Sequence, residues 1–375
     1  MDTIIFSILM VFLSIVLFLQ GLFVNRLSNN GIIFGVRVPA EFRKDEDIQK
    51  LENEYKKIYL LSIFPTIVIV NFLVYLYPKV YIFLLLTFLL IFLTNLPVLI
   101  FWKRMIDLKK EKKWDKLGKN IVVVDTSIRK PKNKKDIKGI KNKTFLILLI
   151  VPIITLIITF ISYDRIPDVF PTHYNGKGIP DSFAIKNSFS GFIYLILLPI
   201  IQALMILFFM VINKFAINGK TDINSGSIRE IREQRKVFKK YNSIFLFLLA
   251  LEMIILFSFI QFCMIYGWSI NIINGISLTI IFASIIIFTI VTYKIGQGGK
   301  NIKVSNAEKE IYRDDDKYWI LGSFYYNKKD PSLFIEKRIG IGWDVNIGNP
   351  IGMTIMIVPF VLIFIMIIVL GILGV

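Results

Sequence analysis

The chain has 375 residues, 55% of them hydrophobic, with 33 Phe and a mean hydropathy of +0.64, which excludes an ordinary soluble domain. Several uncharged apolar runs reach the roughly 20 residues that a helix needs to cross a bilayer, so the sequence reads as a polytopic membrane protein. The net charge of +18 could suggest nucleic acid, but the basic residues lie in loops between apolar runs and no aromatics interleave them, which points to topology and anionic lipid instead.

In chain order, the expected spans lie at about 3–24, 58–77, 80–102, 144–162, 189–213, 242–266, 273–293 and 353–374. The first lacks a basic start and a small-x-small cleavage site, so it reads as an uncleaved span rather than a signal peptide. After it, "GIIFGVRVP" predicts a short extended element or turn closing at Pro39. The next stretch, 41–57, mixes both signs of charge and places Ile48, Leu51, Tyr55 and Ile58 at helical spacing. It predicts an amphipathic helix leading into the second span. Residues 103–143 carry 16 Lys or Arg against 5 acidic side chains and read as a solvated, lipid-hugging tether.

The loops 25–57, 103–143, 214–241 and 294–352 hold 41 of the 45 basic residues. The positive-inside rule makes these loops cytoplasmic, and both termini and the segment 163–188 extracytoplasmic. That segment contains "FPTHYNGKGIPD", with the only histidine, His173. Pro167, Pro171 and Pro180 stiffen it, and Gly176 and Gly178 supply positive φ, so a rigid surface is expected. Two readings are open there. In one, His173, Asn175 and Asp181 form a hydrogen-bonded turn; in the other, Asp164, Asp168, His173 and Asp181 gather around a divalent cation. With one cysteine, Cys263, an internal disulfide and a cysteine-based metal site are excluded.

Glu252 stands near the middle of the sixth span, where an ionised carboxylate costs roughly 2.5–3.5 kcal/mol, so it should face the bundle, with Gln202 and Asn213 as candidate partners. "KIGQGGKN" at 294–301 lacks the Ser/Thr and the strand–helix setting of a phosphate loop and reads as a flexible exit from the seventh span. Residues 314–350 alternate aromatic with small or polar residues between turn signals at Asn327, Asp330-Pro331 and Gly340, predicting a β-rich module of two to four short strands. Its aromatics Trp319, Phe324, Tyr325, Tyr326 and Trp343 read as core or interfacial belt.

The expected fold is therefore an all-α polytopic membrane protein of about eight transmembrane helices, with a small β-rich cytoplasmic module between the last two spans. Its expected organisation is three N-terminal spans over 1–102 with the loop 25–57, and a basic loop at 103–143. Four spans over 144–293 follow with the loop 163–188, then the β-rich module at 294–350 and a last span at 351–375.

The string Pro171-x-His173-Tyr174-Asn175-x-x-Gly178-x-x-Asp181 resembles the signature of a widespread bacterial membrane domain of unknown function, shared with SdpI-like immunity proteins. "FGVRVP" at 34–39 is similar to the segment such proteins carry after their first span, and 294–350 resembles a short aromatic C-terminal module that often accompanies the domain. The resemblance implies a bacterial plasma-membrane protein, in some members protecting the cell from an exported toxin and signalling inward to a repressor.

No paired carboxylates, no Ser-His or Cys-His couple and no G-x-S-x-G or H-E-x-x-H string appears, so an enzyme is not the expected class. The expected function is non-enzymatic: envelope stress response, toxin immunity or signalling through the loop bearing Pro171, His173, Tyr174, Asn175, Gly178 and Asp181. The alternative is a transporter or flippase with a polar interior around Glu252, against which stands the placement of Pro65, Pro97, Pro152, Pro199 and Pro359 mostly near span ends. Expected partners are the bilayer, with anionic lipid at the basic loops, and a cytoplasmic regulator or an exported toxin. Neither a metal nor a cofactor nor nucleic acid is expected.

Overall fold

A computed structural model of the chain describes residues 2–118, 139–175, 178–222, 225–304 and 311–373. Among these residues, eight helices are long and apolar enough to cross a membrane. They are α1 (Asp2–Leu22), α2 (Glu46–Leu76), α3 (Val80–Glu111), α4 (Ile150–Ile161, continuing a 3-10 turn over Asn142–Leu149), α5 (Phe189–Asn218), α6 (Ile228–Tyr266), α7 (Ile270–Ile295) and α8 (Pro350–Leu373). Helix is what such runs must form, because lipid offers no partners to an open backbone. The chain is an all-α polytopic membrane protein carrying small antiparallel strand pairs.

Several helices are longer than the roughly 20 residues that a bilayer crossing needs. The amphipathic stretch before the second span is continuous with it in α2, which starts where Asp45 Oδ1 accepts from the Asp47 amide at 2.9 Å. Its inward stripe is Ile48, Tyr55, Tyr59 and Ile63; Ile58, expected on that stripe, points outward and Tyr59 takes the place. Pro65, Pro97, Pro199 and Pro359 lie inside helices.

The chain forms two compact units. The first comprises residues 1–134, 219–238 and 292–375. Its apolar centre is a cluster around Phe34, Tyr55, Tyr59 and Phe101, in which Phe34 lies 4.9 Å from Tyr55 and 5.5 Å from Phe101 by ring centroids. At one end of its helices four loop segments meet. One carries the hairpin β1 (Ile32–Ile33)–β2 (Val36–Arg37), the expected extended turn before Pro39. Another carries β5 (Ser225–Gly226), which pairs with β6 (Ile311–Tyr312). Two further hairpins, β7 (Trp319–Ile320)–β8 (Phe324–Tyr325) and β9 (Phe334–Glu336)–β10 (Trp343–Val345), give four short strands where two to four are expected within 314–350. Trp319 and Tyr325 are buried and pack edge to face, and Trp343 packs on Phe238, whereas Phe324 and Tyr326 stay exposed.

Two expectations change here. The module between the last spans is not an isolated piece, because it is built together with segments 29–37, 109–118 and 219–238. The exit from α7 is not flexible: Gln297, Gly298 and Gly299 are all buried. Gln297 donates to the carbonyls of Lys337 and Gly342 and accepts from the Gly342 amide. Gly298 has φ +62°, and a Cβ there would lie 2.2 Å from Arg235 Nη1. The glycines serve a tight left-handed turn against a neighbour, which is a packing role. Residues 119–138 of the expected tether lie outside the described residues.

The second unit, residues 135–218 and 239–291, holds α4, α5, α7 and the membrane part of α6. A ladder of polar side chains ties its helices together. Gln202 Nε2 donates to the Ile254 carbonyl and to Ser258 Oγ, both at 2.8 Å, and Ser258 Oγ lies 2.8 Å from Thr155 Oγ1. Gln261 Nε2 donates to the Leu195 carbonyl at 2.8 Å. Such interhelical bonds hold where lipid and side chains are equally apolar.

Candidate functional site

In the second unit, α4 and α5 are joined by a hairpin, β3 (Val169–Tyr174) against β4 (Pro180–Ile185). The period-2 alternation of strands divides its side chains. Phe170 and Ala184 are buried with Ile166, Leu195, Met264 and Ile265, fastening the hairpin to the helices. On the opposite face the cross-strand pairs Val169–Ile185 and Pro171–Phe183 present an apolar strip on which Val169, Phe183 and Ile185 are each more than half exposed.

The register slips on both sides of His173, and this carries its ring to Asp181: Nδ1 donates to Asp181 Oδ1 at 2.5 Å. Both side chains stay open to solvent, at 68% and 42% exposure. Beyond them the tip closes on Asn175. Its carbonyl accepts from Gly178 at 2.8 Å, its amide donates to Ile179 O at 2.9 Å, and its Oδ1 accepts from Ile179 N at 3.1 Å. Gly178 takes φ +72°, and a Cβ on it would lie 2.1 Å from Asn271 Oδ1, so the tip docks closely on the start of α7. Tyr174 turns inward, and burial beside Cys263 raises its phenol above the ordinary value. Where β4 hands over to α5, Gly191 accepts the close approach of the Ile185 carbonyl, and its amide bonds to Ser188 Oγ at 3.0 Å.

The expected residues Pro171, His173, Tyr174, Asn175, Gly178 and Asp181 therefore lie together on one hairpin. Asp164 and Asp168 do not join it: among the described residues no three His, Cys, Asp or Glu side chains come together as a metal site would need. Glu252 is placed on the bundle side, but its partner is neither Gln202 nor Asn213. Its Oε2 accepts from Ser284 Oγ of α7 at 2.9 Å. Gln202 is spent on Ile254 and Ser258, and Asn213 on Asn142 and Ile140.

The first unit contains a constellation that sequence reasoning missed. Arg37, 1% exposed, donates through Nε to Asp315 at 2.6 Å and through Nη2 to Asp222 at 2.8 Å, and its backbone amide bonds to Asp316 at 3.0 Å. Arg338, equally buried, grips Asp315 and Asp316 and lies 4.8 Å from the centre of the Trp319 ring. Lys109 sits 2.6 Å from both Asp314 and Asp316. Next to this cluster, Arg235 Nε lies 2.6 and 2.8 Å from the two oxygens of Glu336, and Arg235 also donates to Asn29 and Gly298.

Burial alone would push the Asp315 carboxyl up, but Arg338 and Arg37 beside it hold it below the usual carboxylate range. Burial likewise works against the Arg37 charge, and Asp222 and Asp315 more than restore it. A lone Arg within the apolar "GIIFGVRVP", facing the run Asp314-Asp315-Asp316, was the available sequence signal. The network has the character of a structural clamp on four loops, since every charge in it is matched in place.

Residues 150–202 match a domain of unknown function, DUF1648, which is also found in SdpI-like proteins, and residues 328–353 match a family of unknown function, DUF5808. The first match spans α4, the whole hairpin and α5 as far as Gln202; the second contains Glu336 and Arg338 of the ion network. Neither a curated protein nor a solved structure matches the chain.

Proposed function

We propose that this chain is a non-enzymatic plasma-membrane protein of a bacterium, whose hairpin at 169–185 is a recognition element on the extracytoplasmic side. In this reading both termini are also extracytoplasmic, and the ion-clamped loop assembly faces the cytoplasm and engages a regulator. The envelope stress, toxin immunity or signalling roles all use the same layout: an exported peptide is met outside and reported or blocked at the membrane. The observation that carries the reading is the hairpin itself. Its shape is held by the His173–Asp181 pair and the Gly178 turn, while its apolar strip and that polar pair remain open. Rigid loops with exposed apolar and polar groups are the usual site of recognition.

The test is complementation. A strain lacking the gene is challenged with envelope-active toxins and antibiotics, then rescued with wild type, His173→Ala or Gly178→Val. Both variants are expected to lose rescue to a similar degree at normal membrane levels, because both remove one shape. Rescue by Gly178→Val together with loss in His173→Ala that chelators reproduce in wild type would overturn the shape-based reading in favour of a metal.

The transport alternative has one observation in its favour: the side-chain oxygens of Gln202 and Gln261 are buried in the second unit without a hydrogen-bond donor. Such acceptors suit a passing polar solute. Gln202→Leu and Gln261→Leu, compared at wild-type membrane levels because both side chains also tie helices together, separate the readings: recognition by the hairpin retains rescue and transport does not.

A further inference from the structure

The loop end of the first unit holds a cavity of about 510 Å³ that neither the hairpin nor the ion network uses. Arg26 reaches it from just past α1, Arg43 from ahead of α2, Lys56 from α2 and Lys300 from just past α7. Glu52 is the acidic residue among the described lining, so four cations meet one carboxylate. Leu22 and Phe23, at the end of the first span, add an apolar wall.

Neighbours hold the polar groups in place. Lys300 Nζ donates to the Asn25 carbonyl at 3.1 Å, and the Arg26 guanidinium lies 4.2 Å from the centre of the Tyr293 ring. Arg43 donates to Asn30 Oδ1 at 3.4 Å, and Glu52 accepts from Asn25 Nδ2 at 2.8 Å. Like charges do not collect in a half-enclosed space without cost, because the low dielectric that strengthens attraction there strengthens repulsion too.

We propose that this cavity binds a phosphate-bearing anion, its charge met by Arg26, Arg43, Lys56 and Lys300 and any attached chain by Leu22 and Phe23. Guanidinium groups meet phosphate oxygens two at a time, and ammonium groups supply point charges, so the two types complement each other on one anion. The position at the end of a membrane span is the depth of lipid headgroups, which makes an anionic phospholipid one source of this chemistry and a soluble phosphate the other. Burial, then Arg43 and Arg26, lowers Lys300 to about 8 against the pull of Glu52, and a bound anion relieves that pressure. Affinity is therefore full below pH 8 and falls as pH rises through the free-state value, where Lys300 must first take up a proton.

The full chain, purified in a zwitterionic detergent, tests this by native mass spectrometry. Dioctanoyl phosphatidylglycerol, dioctanoyl phosphatidylcholine and inorganic phosphate are added separately. The expected result is one retained phosphatidylglycerol in preference to phosphatidylcholine, weakened about tenfold or more by Lys300→Met or Arg43→Gln. Lys300→Arg and the exposed control Lys110→Met should bind as wild type does, and matching thermal melts by circular dichroism exclude misfolding. Retention of inorganic phosphate with the same sensitivity identifies the source as soluble phosphate; its absence beside phosphatidylglycerol binding identifies the lipid. Equal retention of the two lipids without phosphate binding overturns the proposal, as does wild-type binding by both Lys300→Met and Arg43→Gln.

Discussion

Asp315→Asn changes one atom and removes the charge that two buried guanidinium groups share. Arg37 and Arg338 are each 1% exposed, and both lie against Asp315, with Trp319 Nε1 donating to the same carboxylate at 3.1 Å. In the variant Arg37 keeps Asp222 and Arg338 keeps Asp316, so neither is abandoned, but two cations then compete for less negative charge in a dry site. Removing one partner of a buried ion pair costs about 3–5 kcal/mol. At roughly 2–4 °C per kcal/mol for a chain of this class, the unfolding midpoint should fall on the order of 10 °C. The assay is thermal unfolding of the detergent-solubilised chain followed by loss of the monodisperse peak. Glu54→Gln provides the scale: the Arg104–Glu54 pair has 2.7 Å contacts but is 41% and 46% exposed, and its loss should move the midpoint by no more than about 2 °C. Equal shifts for the two variants would refute the claim that the buried network clamps the loops.

Acid should attack the same place. Arg338 and Arg37 outweigh burial and depress Asp315, so their contribution is full above the unfolded-chain value of about 4 and is lost as pH falls below it toward the folded value; Asp315→Asn should flatten the acid limb of a stability profile. Gly298→Ala forces a Cβ to within 2.2 Å of Arg235 at φ +62°, displacing the partner of Glu336, and should destabilise by at least about 2 kcal/mol in the same melt. Within the bilayer, Glu252→Gln should accumulate at wild-type levels because an amide still accepts from Ser284, whereas Glu252→Lys should not, as measured by membrane yield.

Membrane spans were legible because their signal is local: about 20 apolar residues, read one run at a time. The hairpin was legible in shape for a related reason, since its prolines, glycines and Asn175 lie within fifteen residues of one another. Its register slip was not, because only the docking of Phe170 and Ala184 on the helices decides which His173 and Asp181 atoms meet. The ion network was beyond reach of local reading: Arg37, Asp222 and the Asp315/Arg338 pair come from three loops separated by whole spans, and only the fold brings them together. Two further misreadings share a cause. Glycines at 298 and 299 suggested flexibility, and Glu252 suggested an amide partner, where in each case a neighbour distant in sequence fixed the role: Arg235 and Gln234 for the glycines, Ser284 for the carboxylate.

In the proposed function an extracytoplasmic hairpin performs recognition, and one measurement addresses its location and role together. Cys263 is buried, so a cysteine placed at the exposed Ser182 or Lys110 is the reactive thiol in intact cells. A bulky membrane-impermeant maleimide should label Ser182→Cys and abolish rescue of a strain lacking the gene, while Lys110→Cys remains unlabelled and active. Labelling of Lys110→Cys alone would invert the topology, and labelled Ser182→Cys with rescue unchanged would remove the hairpin from the function.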